Sequence, residues 1–270
     1  MPQRHFLTAP QGLCQQVADF LVEQAEDSAL PADARLLITP TAGAARQILG
    51  QLKTRGIETP RCAQPMQALL PEGAALASPV ERCLAWAETL QAAPARALQT
   101  LFWKETPETF ADLLKAGRHF NQLCDQLAEG GHSPAQLPLP DRIKGGFEEE
   151  RWCAVASLYT SYLHQLKSWG LQDPNAARLN EIERPGRAPS ALILAGVPDL
   201  PVAFERYAAR LEASGTEVHL LIWNPAGSPE ADFDAWGRPC PAIWKERFIP
   251  IEAGQIHVAP SAREEARHVA

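Results

Sequence analysis

The chain has 270 residues, 46% of them hydrophobic and 21% charged, the make-up of a globular protein with one large core or two ordinary ones. Its net charge of −7 and isoelectric point near 5.6 argue against a free-standing nucleic-acid binder with a basic face, though not against a subunit that shares a groove with another chain. No stretch approaches the ~18 apolar residues of a membrane span and the opening MPQRHFLTAPQG lacks the apolar core of an export signal, so a soluble, cytoplasmic protein that meets no membrane is expected.

Residues 5–9 read as a short first strand broken by Pro10, and 13–25 repeat apolar positions at helical spacing through Leu13, Val17, Phe20 and Leu21. Leu36, Leu37 and Ile38 read as a second strand and 44–52 as a helix, giving β-α-β-α, the opening of a parallel α/β sheet with helices on its faces. A third short segment over 61–70 continues that layer, so the first part of the α/β domain is placed at 1–77.

From Ser78 the pattern turns helical. Ser78-Pro79-Val80-Glu81 combines a capping residue, Pro at the first helical position and Glu three residues after the cap. Amphipathic stretches follow at 80–92, 110–127 and 147–169, the last with Trp152, Val155, Leu158, Tyr159, Tyr162, Leu166 and Trp169 at three- and four-residue intervals. Such an aromatic stripe is a core face more often than a stacking surface for bases. With the Pro- and Gly-rich loop HSPAQLPLPDRIKGG between them, these stretches make 78–187 an all-helical insertion.

The α/β pattern resumes over 188–254. ALILA at 191–195 and VHLLIW at 218–223 are short, nearly all apolar strands, with an amphipathic helix at 201–213 between them. A looser stretch with Trp236 and Trp244 leads to a strand-like QIHVA at 255–259. The chain ends inside SAREEARHVA, a helix opening at Ser261 that is too short to stand alone, so 255–270 is expected to begin a further domain.

The turn at Thr39 to Gly43 has the strand-to-helix form of a phosphate-binding P-loop, where backbone N–H groups and a helix N-terminus face an anion. The working motif is G-x-x-x-x-G-K-[ST], in which Lys reaches the outer phosphates and a hydroxyl holds Mg²⁺. Here the only glycine is Gly43, and no lysine occurs before Lys53. In a helicase-type ATPase the strand after the helical insertion ends in Asp-Glu and the next in Gly-Asp; this chain has Ala195-Gly196 and Trp223-Asn224 there. Catalysis at such a site is electrostatic stabilisation by those charges, so ATP turnover is not expected.

This arrangement resembles the N-terminal helicase-like region of the AddB/RexB group of RecB-family exonucleases, the inactivated-helicase subunits of bacterial double-strand-break repair complexes. The matching stretches are LLITPTAGAARQIL, SWGLQDPNAARL, LILAGVPDLPVAFERYAARL and VAPSAREEARHVA, with Asp199 where superfamily 1 helicases carry the final Asp of D-E-x-Q-D. The resemblance implies a superfamily 1 helicase-like, P-loop-NTPase-like parallel sheet with an inserted helical subdomain, acting as a non-catalytic scaffold in repair and recombination. It also implies single-stranded DNA and an AddA-like helicase-nuclease motor subunit as partners, and a later PD-(D/E)XK nuclease domain.

That nuclease is not recognised in these residues. Asp141-Arg142-Ile143-Lys144 and Glu148-Glu149-Glu150 come nearest, yet the first lies in a Pro/Gly loop and the second opens a helix, where acids favour the dipole. The six cysteines, Cys14, Cys62, Cys83, Cys124, Cys153 and Cys240, are scattered without a C-x-x-C pair and read as reduced thiols. No metal, iron–sulfur cluster or other cofactor is therefore expected, and without a G-x-S-x-G elbow a serine hydrolase is disfavoured. Thr41, Gly43 and Arg46 remain candidate contacts to a DNA phosphate at the helix N-terminus. In the plainer reading Gly43 supplies the turn and Arg46 is a solvated helix residue. A stand-alone α/β nucleotide- or metabolite-binding enzyme is the competing class, and would need convergent polar groups at strand ends not plugged by Pro40, Pro198 and Pro225. A pure protein-interaction module is a third.

Overall fold

A computed structural model of the chain describes residues 2–8, 11–27, 30–102, 105–137, 141, 144–186, 188–224, 227–247 and 258–261. Strands β1 (Gln3–Leu7), β2 (Arg35–Ile38), β3 (Arg61–Ala63), β4 (Ala191–Ala195) and β5 (Glu217–Trp223) form one all-parallel sheet in the order β1-β5-β4-β2-β3. β2 and β4 are buried along their whole length, which is why they read as continuous apolar runs and not as alternating ones.

The pleat divides these runs between two cores. Leu36, Ile38, Leu192, Leu194, Leu220 and Ile222 face helices α8 (Pro174–Glu183) and α9 (Val202–Ala213). Leu37, Ile193, Ala195 and Leu221 face α1 (Leu13–Asp27) and α2 (Ala42–Thr54). The chain moves one way across the sheet from β2 to β3 and the other way from β4 to β5. β2 and β4 are neighbours, so their outgoing connections diverge and set a topological switch point between their carboxyl ends.

The helical stretch has a core of its own. Helices α4 (Pro79–Gln91), α5 (Ala95–Leu101), α6 (Phe110–Glu129) and α7 (Phe147–Ser168) follow the short α3 (Pro65–Ala68). Fully buried Trp86 is stacked between Phe120 and Tyr162, with ring centroids 4.7 and 4.4 Å away. Val155, Leu158, Tyr159, Tyr162 and Leu166 are all buried here, so the middle of the α7 stripe is a core face, while Trp152 packs half-buried at its edge and Trp169, just past the helix, is exposed. The Ser78–Glu81 pair closes a capping box at the start of α4, and Thr109 and Asp112 do the same for α6. At Gly117 an added Cβ would stand 3.0 Å from the Cys83 carbonyl and 3.1 Å from Trp86 Cβ, so α4 and α6 approach closely there.

Several boundaries differ from the sequence expectations. The first strand lies two residues earlier, because it pairs with β5 from Gln3↔His219 to Leu7↔Trp223 and closes with the Asn224 N–H on the Leu7 carbonyl at 2.8 Å. α2 begins at Ala42 because Thr41 caps it, and α5 has no counterpart among the expected helices. A further short helix, α10 (Pro241–Glu246), brings Trp244 against Phe233, which in turn packs on Phe6 of β1. The expected strand at 255–259 and the terminal helix fall almost wholly outside the described residues. All six cysteines are free, and among the described residues no helix is long and apolar enough to cross a membrane.

Candidate functional site

The turn after β2 is held by two threonines. Thr39 is buried; its N–H donates to the Ala63 carbonyl at 3.1 Å and its hydroxyl to the Thr41 carbonyl at 3.1 Å. Thr41 has extended backbone angles, and its Oγ1 accepts from the Ala44 N–H at 3.1 Å. The hydroxyl is thus committed to the helix cap, while the N–H groups of Ala42 and Gly43 have no acceptor among the described residues. Gly43 does not supply the turn. It sits in the first turn of α2 without a positive φ, and an added Cβ would meet only Thr41 Oγ1 at 3.6 Å. Arg46 is exposed on the next turn, with no ion-pair partner among the described residues.

The neighbouring strand ends are closed by packing. Gly196, just beyond β4, has φ +58, donates its N–H to the Leu221 carbonyl at 2.9 Å, and would place a Cβ 2.5 Å from Leu13 Cδ2. A side chain from α1 therefore occupies the space into which an acid at this position would project. Asn224, beyond β5, is 5% exposed and closed on its own loop: its Nδ2 donates to the Ser228 carbonyl at 2.8 Å and its Oδ1 accepts from the Ser228 N–H at 2.9 Å. A cavity of about 190 Å³ between these ends is walled by apolar atoms of Leu13, Val197, Ile222, Phe233 and Trp236. Pro198 lines it and is exposed, as are Pro40 and Asp199, and Pro225 lies outside the described residues.

A second strand-to-helix turn at the same end of the sheet is absent from the sequence candidates. Between β1 and α1, Gln16 Nε2 donates to the carbonyls of Thr8 at 2.6 Å and Gln11 at 2.7 Å. Its sequence signal is an apolar run followed by Gly12 and a helical pattern. It too lacks Lys-Ser/Thr after its glycine, and Leu13 is turned inward over Gly196. Neither turn carries the side chains that would hold Mg²⁺ and a nucleoside triphosphate, so the residues present do not fit that group.

The nuclease candidates are surface charges. Lys144 pairs with Asp141 at 2.6 Å with both side chains exposed, and Glu148 pairs with Arg151 at 3.0 Å; Arg142 and Ile143 lie outside the described residues. Among the described residues no group of three or more His, Cys, Asp or Glu is placed to hold a metal ion.

The densest polar cluster lies between the helical core and α8. Arg82 Nη2 donates to Asp125 Oδ1 at 2.9 Å, and Arg82 Nε stands 3.3 Å from Asp173 Oδ2, which also accepts from the Tyr162 hydroxyl at 2.6 Å. Asp173 Oδ1 caps α8 by accepting the N–H groups of Asn175 and Ala176, each at 2.9 Å. Burial alone would favour a neutral Arg82, but Asp173, Asp125 and Tyr162 outweigh it and hold the guanidinium more firmly protonated. These contacts run between α4, α6, α7 and the start of α8, so the cluster fastens helices together.

These elements define an α/β protein built on an all-parallel sheet with helices on both faces. Compared with known proteins, the chain matches no family model and no curated protein sequence.

Proposed function

We propose that this chain is a non-catalytic, helicase-like scaffold, a portion of a DNA repair and recombination subunit that holds single-stranded DNA weakly and contacts an AddA-like motor subunit. The observation that supports it most is the closure of the strand ends: Leu13 fills the space beyond Gly196, and Asn224 is spent on its own loop. Those are the places where a motor of this architecture needs a carboxylate and a polar sensor. The fold persists there without the charges that phosphoryl transfer requires. In this reading Arg46 and the free amides at the start of α2 are what remains for a DNA phosphate. The enzyme alternative needs convergent polar groups at the strand ends, and the cavity found there is apolar.

Two titrations test the proposal. Calorimetry with Mg²⁺ and ATP should show no saturable binding, and micromolar, Mg²⁺-dependent affinity would sink it. Binding of a fluorescent oligothymidylate should weaken steeply with salt, and Arg46→Ala should reduce the salt slope by about 1 without changing the thermal midpoint. Salt-insensitive binding, or none at low salt, would favour a protein-interaction module.

A further inference from the structure

A cavity of about 410 Å³ opens beside β3 on the sheet face covered by α8 and α9, and shares no lining residue with the apolar cavity over Gly196. Leu36, Leu70 and Pro71 give it apolar walls, and the polar residues Arg61, Glu72, Glu181 and Tyr207 also line it. Three of their polar atoms are unspent. Tyr207 is 3% exposed, and its hydroxyl has no hydrogen-bond partner among the described residues and is not shut off from solvent. Arg61 meets Glu72 through Nη1 at 2.5 Å and its Nε is shut off from solvent, which leaves Nη2, without a partner among the described residues, as its open donor. Glu181 accepts the Gly186 N–H at 2.7 Å through Oε1 and leaves Oε2 without a donor among the described residues.

Two donors and one anionic acceptor thus converge on a space with apolar walls. Burial, reinforced by Glu181 and opposed by Arg61, pushes the Tyr207 phenol up to about 12, so it remains an O–H donor at physiological pH. A carboxylate offers two oxygens to two donors, and an ammonium answers a carboxylate; one small molecule carries both on adjacent atoms. We propose that this cavity binds a free α-amino acid with an apolar side chain, its carboxylate between Arg61 and Tyr207, its ammonium on Glu181, and its side chain against Leu36, Leu70 and Pro71. The site is independent of the proposed DNA role.

Isothermal titration of the whole chain tests it with leucine, phenylalanine, isoamylamine and N-acetyl-leucine as probes. Leucine or phenylalanine should bind saturably at one site. Isoamylamine lacks the carboxylate and N-acetyl-leucine the ammonium, and each should bind at least about tenfold more weakly, the worth of a charge-assisted contact. Tyr207→Phe keeps the ring and removes only the hydroxyl, and should weaken binding by about tenfold, as should Glu181→Gln on the half-buried rim. If Tyr207→Phe fails to fold, Glu181→Gln alone decides. Absence of saturable binding by either amino acid up to roughly 10 mM, equal binding of isoamylamine or N-acetyl-leucine, or full affinity in the folded variants would each overturn the proposal.

Discussion

At Gly196 the chain omits a side chain so that Leu13 can lie over the end of β4. Both the positive φ and the 2.5 Å approach oppose any larger residue. Gly196→Ala should cost about 2–3 kcal/mol in urea unfolding, part from the left-handed backbone and part from overpacking. A loss under about 0.5 kcal/mol would show that Leu13 moves aside freely. The missing acid is legible in AGVPDL; its cause is not, because the residue filling the space belongs to a helix far earlier in the chain. The same distance conceals the histidine pair. His5 Nε2 lies 3.2 Å from His219 Nδ1 beneath Phe20, with Glu217 3.8 Å from His219 Nε2. Burial lowers both pKa values below the ordinary 6.5, and His5 lowers that of His219 further against the opposing Glu217. The unfolded chain therefore takes up protons first as pH falls. Stability is fully present above about 6.5 and is lost as pH falls through the lowered folded values, by at most about 1.4 kcal/mol per pH unit for each histidine. Urea midpoints measured from pH 8 to 5 should fall, and His5→Gln should flatten that fall.

Among the elements, caps are the clearest signals. Ser78-Pro79-Val80-Glu81 fixes the start of α4 because every atom of its capping box comes from four consecutive residues. Thr41 is equally local, but the P-loop-like turn around it suggests a phosphate contact and hides the cap of α2, which shifts the expected helix start by two residues. Thr41→Ala should therefore lower stability by about 1 kcal/mol in chemical denaturation while leaving DNA affinity nearly unchanged; loss of affinity at equal stability would return the hydroxyl to the binding site. Helix α5 is not legible because its seven residues carry too little periodicity to separate from a loop. Asp173-Pro174 holds a cap and a Pro at the first position of α8, a helix signal that the sequence expectations use only for family likeness. β2, β4 and β5 are legible to within a residue, but the order of the strands is not, since apolar runs tell burial on both faces and say nothing of which neighbour supplies it.

Over the whole molecule, polar contacts among the described residues join the sheet-facing cores to the helical core at a few places. Leu76 bridges Gln172 where the chain enters and leaves the helical stretch, with the Ala77 N–H on the Gln172 carbonyl and the Gln172 N–H on the Ala75 carbonyl, both at 2.9 Å. Beside them Asp173 ties α8, which packs on the sheet side, to Arg82 of α4 and Tyr162 of α7. Arg82 and Asp173 are 7% and 2% exposed, so loss of one charge leaves the other without its main counter-ion in a poorly solvated place. Asp173→Asn keeps the shape and removes the charge. It should destabilise the protein by about 3 kcal/mol, and the loss should fall unevenly. Hydrogen exchange read by mass spectrometry should show amides of α4, α6 and α7 losing about 100-fold in protection while those of β2, β4 and β5 keep theirs, because the helical core can then open without the sheet. A uniform loss across helices and strands would mean that apolar packing alone couples the cores, and that the buried ion pair is incidental to how the helical region is held.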